Sequence, residues 1–559
     1  MFIKTTRNSA GQTYYHLVES YRDDDGKSRH RTLLSLGRAG EDRIDDLLGA
    51  VTKHRDVLTA QQLAKEIDIR DTYILGPLLV LERLFETSGI DKVLSRVAAD
   101  HPKLGFDLRQ AVFTMMAARF VRPGSKLKIY EKEQKKLYPN MVAGDLELHQ
   151  MYRALDLLAA HKDEIEHDLF WHDRNLLSQP VDVVLYDLTT LRFESTVNVD
   201  GTLRRFGYSK EMRSDCTQVI LGLMVTPEGI PLGFEVYPGN TFEGATVQDI
   251  AKKMRDKFKI RRFIFVADRG LFAARNLDVL REDGGEFIVG MKLGVFKSRH
   301  EEFYDSNALS WINDDPVPGH GAGLAYRETE HEGDRVIITW SRARAERDRK
   351  AREDVLAKIR KKLSASPKGA ALQKLVTHAS YKKFVKEETK ATLVLNDAAI
   401  AEEARRDGFF GIVTNIRDLK AHDIVANYKT LWEVEDAFGE LKGTLKARPV
   451  FHWTDTRIVG HLTLCFMAYL CEALMTRAVR AKGFVFESPA IDKKIIDKRP
   501  LTVVEAMREL GEVRAIPVTL RGQTFWTRTD IHGNAQKLLA AIGLKPPPKL
   551  LPTKKNAAL

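Results

Sequence analysis

Two aspartates directly follow apolar runs that have the composition of buried β-strands. Asp187 ends the run VVLYD, and Asp268 ends the run FIFVAD. If the two strands are parallel neighbours, their carboxyl ends meet at one edge of the sheet, where open α/β sheets bind ligands. Two carboxylates in a partly dry cleft repel each other unless a cation compensates, and Mg²⁺ prefers oxygen ligands of this kind. The alternative is that each Asp simply ends a strand at a turn.

A third acid, Glu435, lies in a predicted helix over residues 423–442, which Gly443 ends. Residues seven positions apart lie on nearly the same face of a helix, so Tyr428, Glu435 and Lys442 are predicted to line up. Three apolar side chains fall on the same face, namely Leu431, Trp432 and Phe438. A face that buries these side chains against the sheet also turns Glu435 inward.

The burial expected for Glu435 distinguishes it from the other acids of this helix. At about 100° per residue, Glu433 lies about 200° and Glu440 about 140° from it, so both are expected in solvent. A lone buried carboxylate is costly, whereas one that completes a metal site is compensated. The alternative for Glu435 is a salt bridge to a nearby Lys or Arg. Asp187, Asp268 and Glu435 are therefore the candidate catalytic and metal-binding residues.

The elements that must position these acids follow a definite order. Three strands, a helix and a fourth strand are predicted in turn, at 181–190, 217–225, 231–239, 245–258 and 261–268. A further strand is expected at 286–292. The pattern resumes with a strand at 409–415 and the helix that contains Glu435. This is the order of a ribonuclease-H-like core, an α/β fold in which a mixed sheet is flanked by helices.

The rest of the chain divides around this core. We expect five parts: a small β-containing unit with a hairpin (1–73), a helical DNA-binding or dimerisation domain (74–180), the catalytic core (181–292 and 405–480), a β-rich and basic helical insertion (293–404), and a C-terminal region with a disordered tail (481–559). The insertion therefore interrupts the core just before the third acid.

Two stretches carry many basic residues. Residues 342–362 contain ten Lys and Arg against four acids, a net charge of +6. The second cluster lies between two predicted helices and consists of Arg122, Lys126, Lys128, Lys132, Lys135 and Lys136. Each stretch either contacts DNA or is a solvated charged face.

The composition is that of a basic protein without disulfides. The 88 Lys and Arg exceed the 77 Asp and Glu by 11, which favours a polyanionic partner, although many plain enzymes are as basic. Three cysteines without a CxxC pair make a disulfide scaffold or a thiolate zinc site improbable. The most apolar stretch, 462–475, is too short to span a bilayer and is predicted to be a buried helix. We expect a soluble, cytoplasmic and nucleoid-associated protein with no membrane partner.

These motifs together resemble the DDE transposases of bacterial insertion sequences, in the branch of the IS-four superfamily with the signature Tyr-x2-Arg-x3-Glu-x6-Lys. Tyr428, Glu435 and Lys442 match its spacing, whereas Leu431 occupies the Arg position. Asp187-Leu188-Thr189 resembles the family's Asp-x-Thr, and VADRGLFAARNL resembles its second motif, a strand followed by Asp-Arg-Gly. The resemblance covers roughly 180–292 and 405–475.

The resemblance implies an enzyme that binds terminal inverted repeats, cleaves DNA by two-metal hydrolysis and joins the 3′-OH ends to target DNA by transesterification. Two Mg²⁺ ions, for which Mn²⁺ substitutes, would be bound by the three acids. The implied partners are the double-stranded DNA of the element ends and of the target, with a homodimer in the synaptic complex.

Several DNA contacts are implied in the same way. Tyr428 and Lys442 would contact the phosphate near the scissile bond, and Arg269 is the candidate to replace the missing signature Arg. Relatives that form a hairpin intermediate hold a flipped base with a Trp of the insertion, for which Trp340 is the candidate here. Arg342 and Arg344 would support it. The alternative is that Trp340 is an aromatic side chain of the predicted insertion hairpin.

Two other functions stay open. A ribonuclease-H-like nuclease or resolvase would share the three acids but would not join strands, and the long insertion and C-terminal region argue against it. A domesticated DNA-binding protein without chemistry is the second, and the presence of all three acids argues against it.

Overall fold

The computed structural model describes most of the chain. The described residues are 2–23, 25–38, 67–68, 71–143, 145–172, 182–193, 202–207, 215–242, 245–258, 263–271, 274–282, 284–305, 307, 309–311, 324–364, 378, 380–389, 392–443, 445–484, 506, 509–520 and 523–552. The last seven residues of the tail that is expected to be disordered, 553–559, lie outside them.

Strands and helices alternate along the larger part of the chain. In the described ranges the strands are β1 (Phe2–Arg7), β2 (Thr13–Arg22), β3 (Ser28–Arg38), β4 (Ile67–Asp68), β5 (Tyr73–Ile74), β6 (Asp182–Arg192), β7 (Gln218–Val225), β8 (Pro231–Pro238), β9 (Phe263–Ala267), β10 (Glu286–Met291), β11 (Ser310–Trp311), β12 (Leu324–His331), β13 (Asp334–Ser341), β14 (Val385–Thr389), β15 (Thr392–Leu395), β16 (Phe409–Thr414), β17 (Arg514–Leu520), β18 (Gln523–Arg528) and β19 (Leu550–Leu551).

The helices of nine or more residues in the same ranges are α1 (Gly76–Ser88), α2 (Ile90–Ala99), α3 (Leu108–Val121), α4 (Leu148–Ala160), α5 (Lys162–Trp171), α6 (Thr246–Asp256), α7 (Ala274–Glu282), α8 (Arg342–Ser364), α9 (Asp397–Arg405), α10 (Ala421–Lys429), α11 (Trp432–Lys442), α12 (Asp455–Ala481) and α13 (Gly533–Ala541). Shorter helical segments lie at Lys126–Lys128, Ile129–Glu133, Gln134–Lys136, Arg269–Leu271, Leu293–Val295, Lys297–Arg299 and His300–Phe303.

The chain forms two compact units. The smaller unit combines Met1–Thr72, Ala515–Thr529 and Pro548–Leu559, and the larger combines Tyr73–Arg514 and Asp530–Pro547. In the smaller unit β1, β2 and β3 form an antiparallel sheet, and Gly26 at φ 75° allows the turn of the predicted β2–β3 hairpin. A second sheet has the order β19-β18-β17-β4. Its strand β19 falls in the tail that is expected to be disordered.

The region from α1 to α5 is helical, as the periodicity predicts. The side chain of Asp107 caps α3 by accepting a hydrogen bond from the Gln110 amide, and Glu147 and Gln150 form a capping box on α4. Helix α12 packs against α1, α3 and α4. A Cβ on Gly460 of α12 would lie 2.0 Å from the Leu155 carbonyl oxygen of α4, so the two helix backbones can approach this closely only with glycine there.

Helix α12 contains the most apolar stretch of the chain. It is 27 residues long and apolar enough to cross a membrane by length and composition alone. However, 83% of its most apolar window is buried inside the fold. The predicted buried helix is therefore confirmed, and it is longer than the apolar stretch that marks it.

The core of the larger unit is a mixed sheet of nine strands in the order β11-β12-β13-β16-β10-β9-β6-β7-β8. Strand β9 is parallel to both β6 and β10, and the other pairs are antiparallel. The apolar residues on both faces of β6 and β9 predict these central positions, and both strands are buried.

The order of the strands in the sheet differs from their order along the chain. Strand β10 lies next to β9, and β16, the strand predicted at 409–415, lies beyond β10 and runs antiparallel to it. The hairpin of β12 and β13 from the predicted insertion pairs with β16. An apolar run identifies a strand but carries no information about its direction or its partner, so sequence could not distinguish these arrangements.

The basic cluster between α3 and α4 is only partly on the surface. Lys126 is fully buried beside the buried Arg119, whose guanidinium donates to the carbonyls of Leu445 and Lys446. Burial, and then the charge of Arg119, lower the pKa of Lys126 to about 7. Burial also lowers the pKa of the nearby His452 to about 3. Lys126 is therefore neither a DNA contact nor part of a solvated face, which corrects the prediction for this residue.

We predict that Lys126→Met stabilises the protein at pH 7 and flattens its pH dependence. The unfolded chain binds a proton at Lys126 up to a pKa near 10.5, whereas the folded chain releases it near 7. The free energy of unfolding should therefore rise between pH 7 and 10.5 in the native protein, and this rise should be smaller in the variant. Denaturant titrations at several pH values measure it. Lys128→Met, at a half-exposed neighbour, is the control and should leave the pH slope unchanged.

Candidate functional site

Asp187 and Asp268 occupy adjacent positions on neighbouring parallel strands. The register pairs Asp182 with Phe263 and continues in step to Tyr186 with Ala267. Asp187 and Asp268 follow at the next position of each strand, and parallel strands lie about 4.8 Å apart. Asp187 is half-buried and Asp268 is exposed. The two aspartates therefore lie side by side on neighbouring parallel strands, as predicted, but Asp187 lies in the middle of β6, which continues to Arg192, and not at its end.

The helix predicted over 423–442 is interrupted by a tight turn between α10 and α11. Across this turn Leu431 donates to Tyr428, Glu433 to Thr430 and Val434 to Leu431, each over three residues instead of four. Such 3₁₀ bonding rotates the chain by about 120° per residue instead of about 100°. The side chains of α11 therefore point in directions, relative to those of α10, that differ from the directions in one continuous α-helix.

The burial expected along this helix is wrong in four places. Glu435 is exposed, Trp432 is 51% exposed, and Glu433 is buried at 9%. Glu440 is half-buried, although it was expected in solvent. Leu431 and Phe438 are buried, as predicted. Two causes explain the difference: the 3₁₀ turn shifts the helical phase, and α11 packs against α12 as well as against β6 and β7.

The second packing partner explains the burial of Glu433. Its carboxylate lies 3.7 Å from the Arg480 guanidinium of α12, and a Cβ on Gly229 would lie 3.1 Å from its Oε2 atom. Burial raises the pKa of Glu433, and the charge of Arg480 acts against this shift. Glu433 therefore faces the helical layer, whereas Glu435 is exposed to solvent.

One side chain of α10 and one of α11 form hydrogen bonds with residues beside the two aspartates or with the aspartates themselves. The hydroxyl of Tyr428 donates a hydrogen bond to Oδ1 of Asp268 at 3.2 Å. The ammonium of Lys442 donates to the hydroxyl of Thr189. Thr189 lies two positions after Asp187 and therefore points to the same face of β6. Tyr428 and Lys442 are thus anchored beside the two aspartates, and Glu435 lies midway between them in the chain.

The three acids do not form one compact group of ligand atoms. Among the described residues, the oxygens of Asp187, Asp268 and Glu435 do not all lie within 4.8 Å of one another. One Mg²⁺ with bonds of about 2.1 Å could not contact all three at that spacing. Asp187 and Asp268, whose positions lie side by side, are carboxylates of the kind that suits a divalent cation such as Mg²⁺.

Basic and aromatic side chains lie next to Tyr428. The guanidinium of Arg344 lies 4.7 Å from the centroid of the Phe410 ring, which in turn lies 5.1 Å from that of Tyr428. Burial lowers the pKa of Arg344; Asp348 opposes this shift and the nearby Arg269 adds to it. The two arginines are therefore close enough to repel. Burial and the charge of Asp268 raise the pKa of Tyr428, so its hydroxyl remains a proton donor at neutral pH.

Arg269 and Arg344 also line a cavity of about 670 Å³ between the sheet and α8. Six basic side chains line it against three acids: Arg269, Lys292, Arg344, Arg352, Lys383 and Arg406 against Asp348, Glu403 and Asp407. The cavity therefore has a net positive charge directly beside the aspartate edge.

Trp340 lies within the sheet. Its position pairs with Ala325 of β12 and with Phe409 of β16, and its indole N–H donates to the Asp407 carbonyl at 3.0 Å. The side chain is half-buried and packs against the core. Arg342 is exposed at the first position of α8. The base-holding role of these residues stays a prediction.

Two other groups of possible metal ligands in the described residues do not include the three acids. Asp163, Glu166 and Glu235 form one, but Lys162, Lys253 and Lys257 make ion pairs with them. This network joins α5, α6 and β8. Asp100, His161 and Glu164 form the other, beside Arg96.

The sequence analysis did not identify two residues of the site, Thr189 and Gly290, as functional positions. Thr189, which receives Lys442, is part of the quoted Asp-x-Thr segment. A Cβ on Gly290 of β10 would lie 2.6 Å from the Tyr428 hydroxyl and 2.9 Å from the Arg269 amide nitrogen. An isolated glycine inside a strand is a signal of such a close approach, and it could have marked this position.

Comparison with known proteins gives two matching family models. The model of the transposase DDE domain matches residues 181–471, just over half of the chain, and the model of the IS1634 family transposase N-terminal domain matches residues 2–63. No curated protein matches the chain. Among solved structures, the cryo-EM structure of a piggyBac transposase synaptic complex with hairpin DNA is similar at a TM-score of 0.36 and 10% identity, over 78% of this chain and 79% of that one.

The chain belongs to the DDE transposases of insertion sequences. It is an enzyme that cleaves and joins DNA, and its DDE domain uses divalent metal ions.

We predict that Gly290→Ala costs about 1–3 kcal/mol of stability, because the added methyl group overlaps Tyr428 and the Arg269 backbone. Displacing Tyr428 should also lower DNA cleavage. Thermal unfolding and a nicking assay measure the two effects. Adding Tyr428→Phe should recover part of the stability.

Gly439→Ala is the matched control, since a Cβ there meets no atom within 4 Å. Alanine in a helix is favourable, so this variant should be stabilised by up to about 1 kcal/mol. An unchanged melting temperature for Gly290→Ala would contradict the close packing of Tyr428 on β10.

Proposed function

We propose that this transposase cleaves DNA at the ends of its element and joins the freed 3′-OH ends to target DNA at Asp187, Asp268 and Glu435, within a ribonuclease-H-like core. The observation that supports it most is the register that places the two aspartates side by side, with Tyr428 and Lys442 holding the helix of Glu435 across them. Both reactions are phosphoryl transfers, so one site can perform them in succession.

The three carboxylates would hold the metal ions, and Mg²⁺ is the ion we propose. When bound, two such ions supply Lewis acidity for the attacking and leaving oxygens of an in-line displacement. The exposure of Asp268 and Glu435 leaves the site open to a DNA backbone. An open cleft is required because a duplex cannot enter a closed pocket.

The chain's own cations would position the scissile phosphate. Lys442 lies at one end of the site and Arg269 at the other, and both can approach a phosphate between the acids. The Tyr428 hydroxyl orients the Asp268 carboxylate by donating to it. Arg269 and Arg344 approach each other beside Tyr428, where phosphate oxygens would relieve their repulsion. Arg269 would therefore take the place of the signature Arg, which is Leu431 here.

The proposed partners follow from the family and the charge. Terminal inverted repeats and target DNA are the substrates, and a homodimer would hold two element ends together. The surplus of 11 basic residues favours binding to DNA through its phosphates. The enzyme would act in the cytoplasm, on the nucleoid.

We predict that Asp187→Asn, Asp268→Asn and Glu435→Gln each reduce Mg²⁺-dependent cleavage of an element-end duplex at least about 100-fold. Each change removes a charged ligand while keeping the size of the side chain. DNA binding in EDTA should persist. Cleavage is followed on labelled duplexes by gel electrophoresis.

Glu433→Gln is the matched control on the same helix, because Glu433 faces α12 and not the cleft. It should cleave within a few-fold of the native enzyme. If Glu433→Gln abolished cleavage and Glu435→Gln did not, the assignment of the third acid would be wrong.

A second assay separates a transposase from a nuclease with the same acids. Pre-cut element ends with a free 3′-OH are incubated with a supercoiled plasmid and Mg²⁺. We expect joined products that disappear when the 3′-OH is replaced by a 3′-deoxy end, since the hydroxyl is the nucleophile. Cleavage of inverted repeats without any joining would support the nuclease alternative instead.

A further inference from the structure

Two large aromatic side chains are exposed on the loop between α11 and α12. Phe451 is 56% and Trp453 is 54% exposed, whereas His452 between them is 6% exposed. Successive side chains of an extended segment point in opposite directions, so the two rings share one outward face. Large exposed apolar groups that lie together usually mark a binding surface.

The loop that displays these rings is well fixed. Four contacts of its backbone hold it: Arg119 donates to the carbonyls of Leu445 and Lys446, His461 Nε2 lies 3.3 Å from the Ala447 carbonyl oxygen, and Val450 donates to the Arg192 carbonyl of β6. Thr454 then caps α12. The rings are therefore held in place before any partner arrives.

A neighbouring segment, 202–207, extends the same surface. Asp455 accepts hydrogen bonds from the amide and the hydroxyl of Thr202, both at 2.7 Å. The Arg204 guanidinium lies 5.2 Å from the centroid of the Trp453 ring. Arg204 is itself buried, so it supports the Trp453 ring from inside the fold. We call Phe451 and Trp453 the aromatic surface.

The charges around the aromatic surface are mainly positive. Arg205, Lys446 and Arg448 belong to its two segments, and Arg192 ends the adjoining strand. Burial and the charge of Arg192 lower the pKa of Arg448, so these two cations lie close together. Like charges held near one another favour an anionic partner. The charge thus argues for nucleic acid over a second protein surface.

The aromatic surface lies within reach of the catalytic edge. Five residues of β6 separate Asp187 from Arg192, which is about 16 Å at about 3.3 Å per residue. A strand of a duplex spans this distance in about five nucleotides at about 3.4 Å each, and an unpaired strand, which is more extended, spans it in fewer. Strand β6 therefore carries the candidate active site in its middle and the aromatic surface at its end.

We propose that the aromatic surface binds unpaired DNA bases within about five nucleotides of the cut site, with the rings stacking on bases and Arg192, Arg205 and Arg448 contacting phosphates. Rings stack on base faces, which are accessible only when the strand is unpaired. The proposal rests on the proposed function, because it places the strand relative to the catalytic acids. It adds a single-stranded substrate element to a site otherwise described for duplex DNA.

The test measures binding of a fluorescein-labelled 15-mer of deoxythymidine to the full-length protein by anisotropy, in EDTA. Phe451→Ala and Trp453→Ala should each weaken binding about tenfold. Trp453→Phe should stay within about threefold of the native protein, because it keeps an aromatic face. Trp453→Leu, which is apolar but has no ring, should bind as poorly as Trp453→Ala. Arg205→Ala should reduce the slope of log affinity against log salt by about one.

Leu550→Ala, an exposed apolar residue elsewhere, is the control and should bind normally. Melting temperatures equal to that of the native protein exclude misfolding of the variants. If Trp453→Ala does not fold, Trp453→Leu replaces it in the test. Native affinity in Trp453→Leu and Phe451→Ala would overturn the proposal. Native affinity together with loss of a dimer in sedimentation would also overturn it and would assign the surface to a second copy of the chain. Because the assay contains no metal and no cleavage, its failure is distinct from failure of the catalytic acids.

Discussion

The parallel pairing of β6 with β9 is the interaction on which the site depends. Backbone hydrogen bonds fix the register, and the register alone brings Asp187 and Asp268 to neighbouring positions. A slip of one residue would turn one carboxylate to the opposite face of the sheet. Most side chains of both strands are buried, which makes such a slip costly. The apolar core therefore fixes the relative position of Asp187 and Asp268.

The contribution of the helices is of a different kind. No ladder of backbone hydrogen bonds fixes α10 and α11 to the sheet, and the described contacts of Tyr428 and Lys442 with Asp268 and Thr189 hold their ends in place. Side-chain contacts can adjust more easily than a strand register. Glu435, the proposed third acid, therefore sits on the part of the proposed site that side-chain contacts hold in place.

The sequence predicts much of this arrangement, and its errors have physical causes. Aspartates that follow apolar runs are visible in the sequence, and the structure places Asp187 and Asp268 side by side, although β6 continues past Asp187. The faces of 423–442 could not be assigned correctly, because a 3₁₀ turn at Leu431 and packing by α12 both depend on tertiary contacts. The burial of Lys126 also depends on tertiary contacts and could not be predicted, since a lysine between helices normally lies in solvent.

The pairing of β13 with β16 has a consequence for the solubility of the protein. Because the β12–β13 hairpin continues the nine-stranded sheet, a chain without it would leave β16 as an open edge, with a largely buried apolar strand and unpaired amides and carbonyls. Such an edge recruits other chains and aggregates. The hairpin therefore protects the sheet from association as well as widening it.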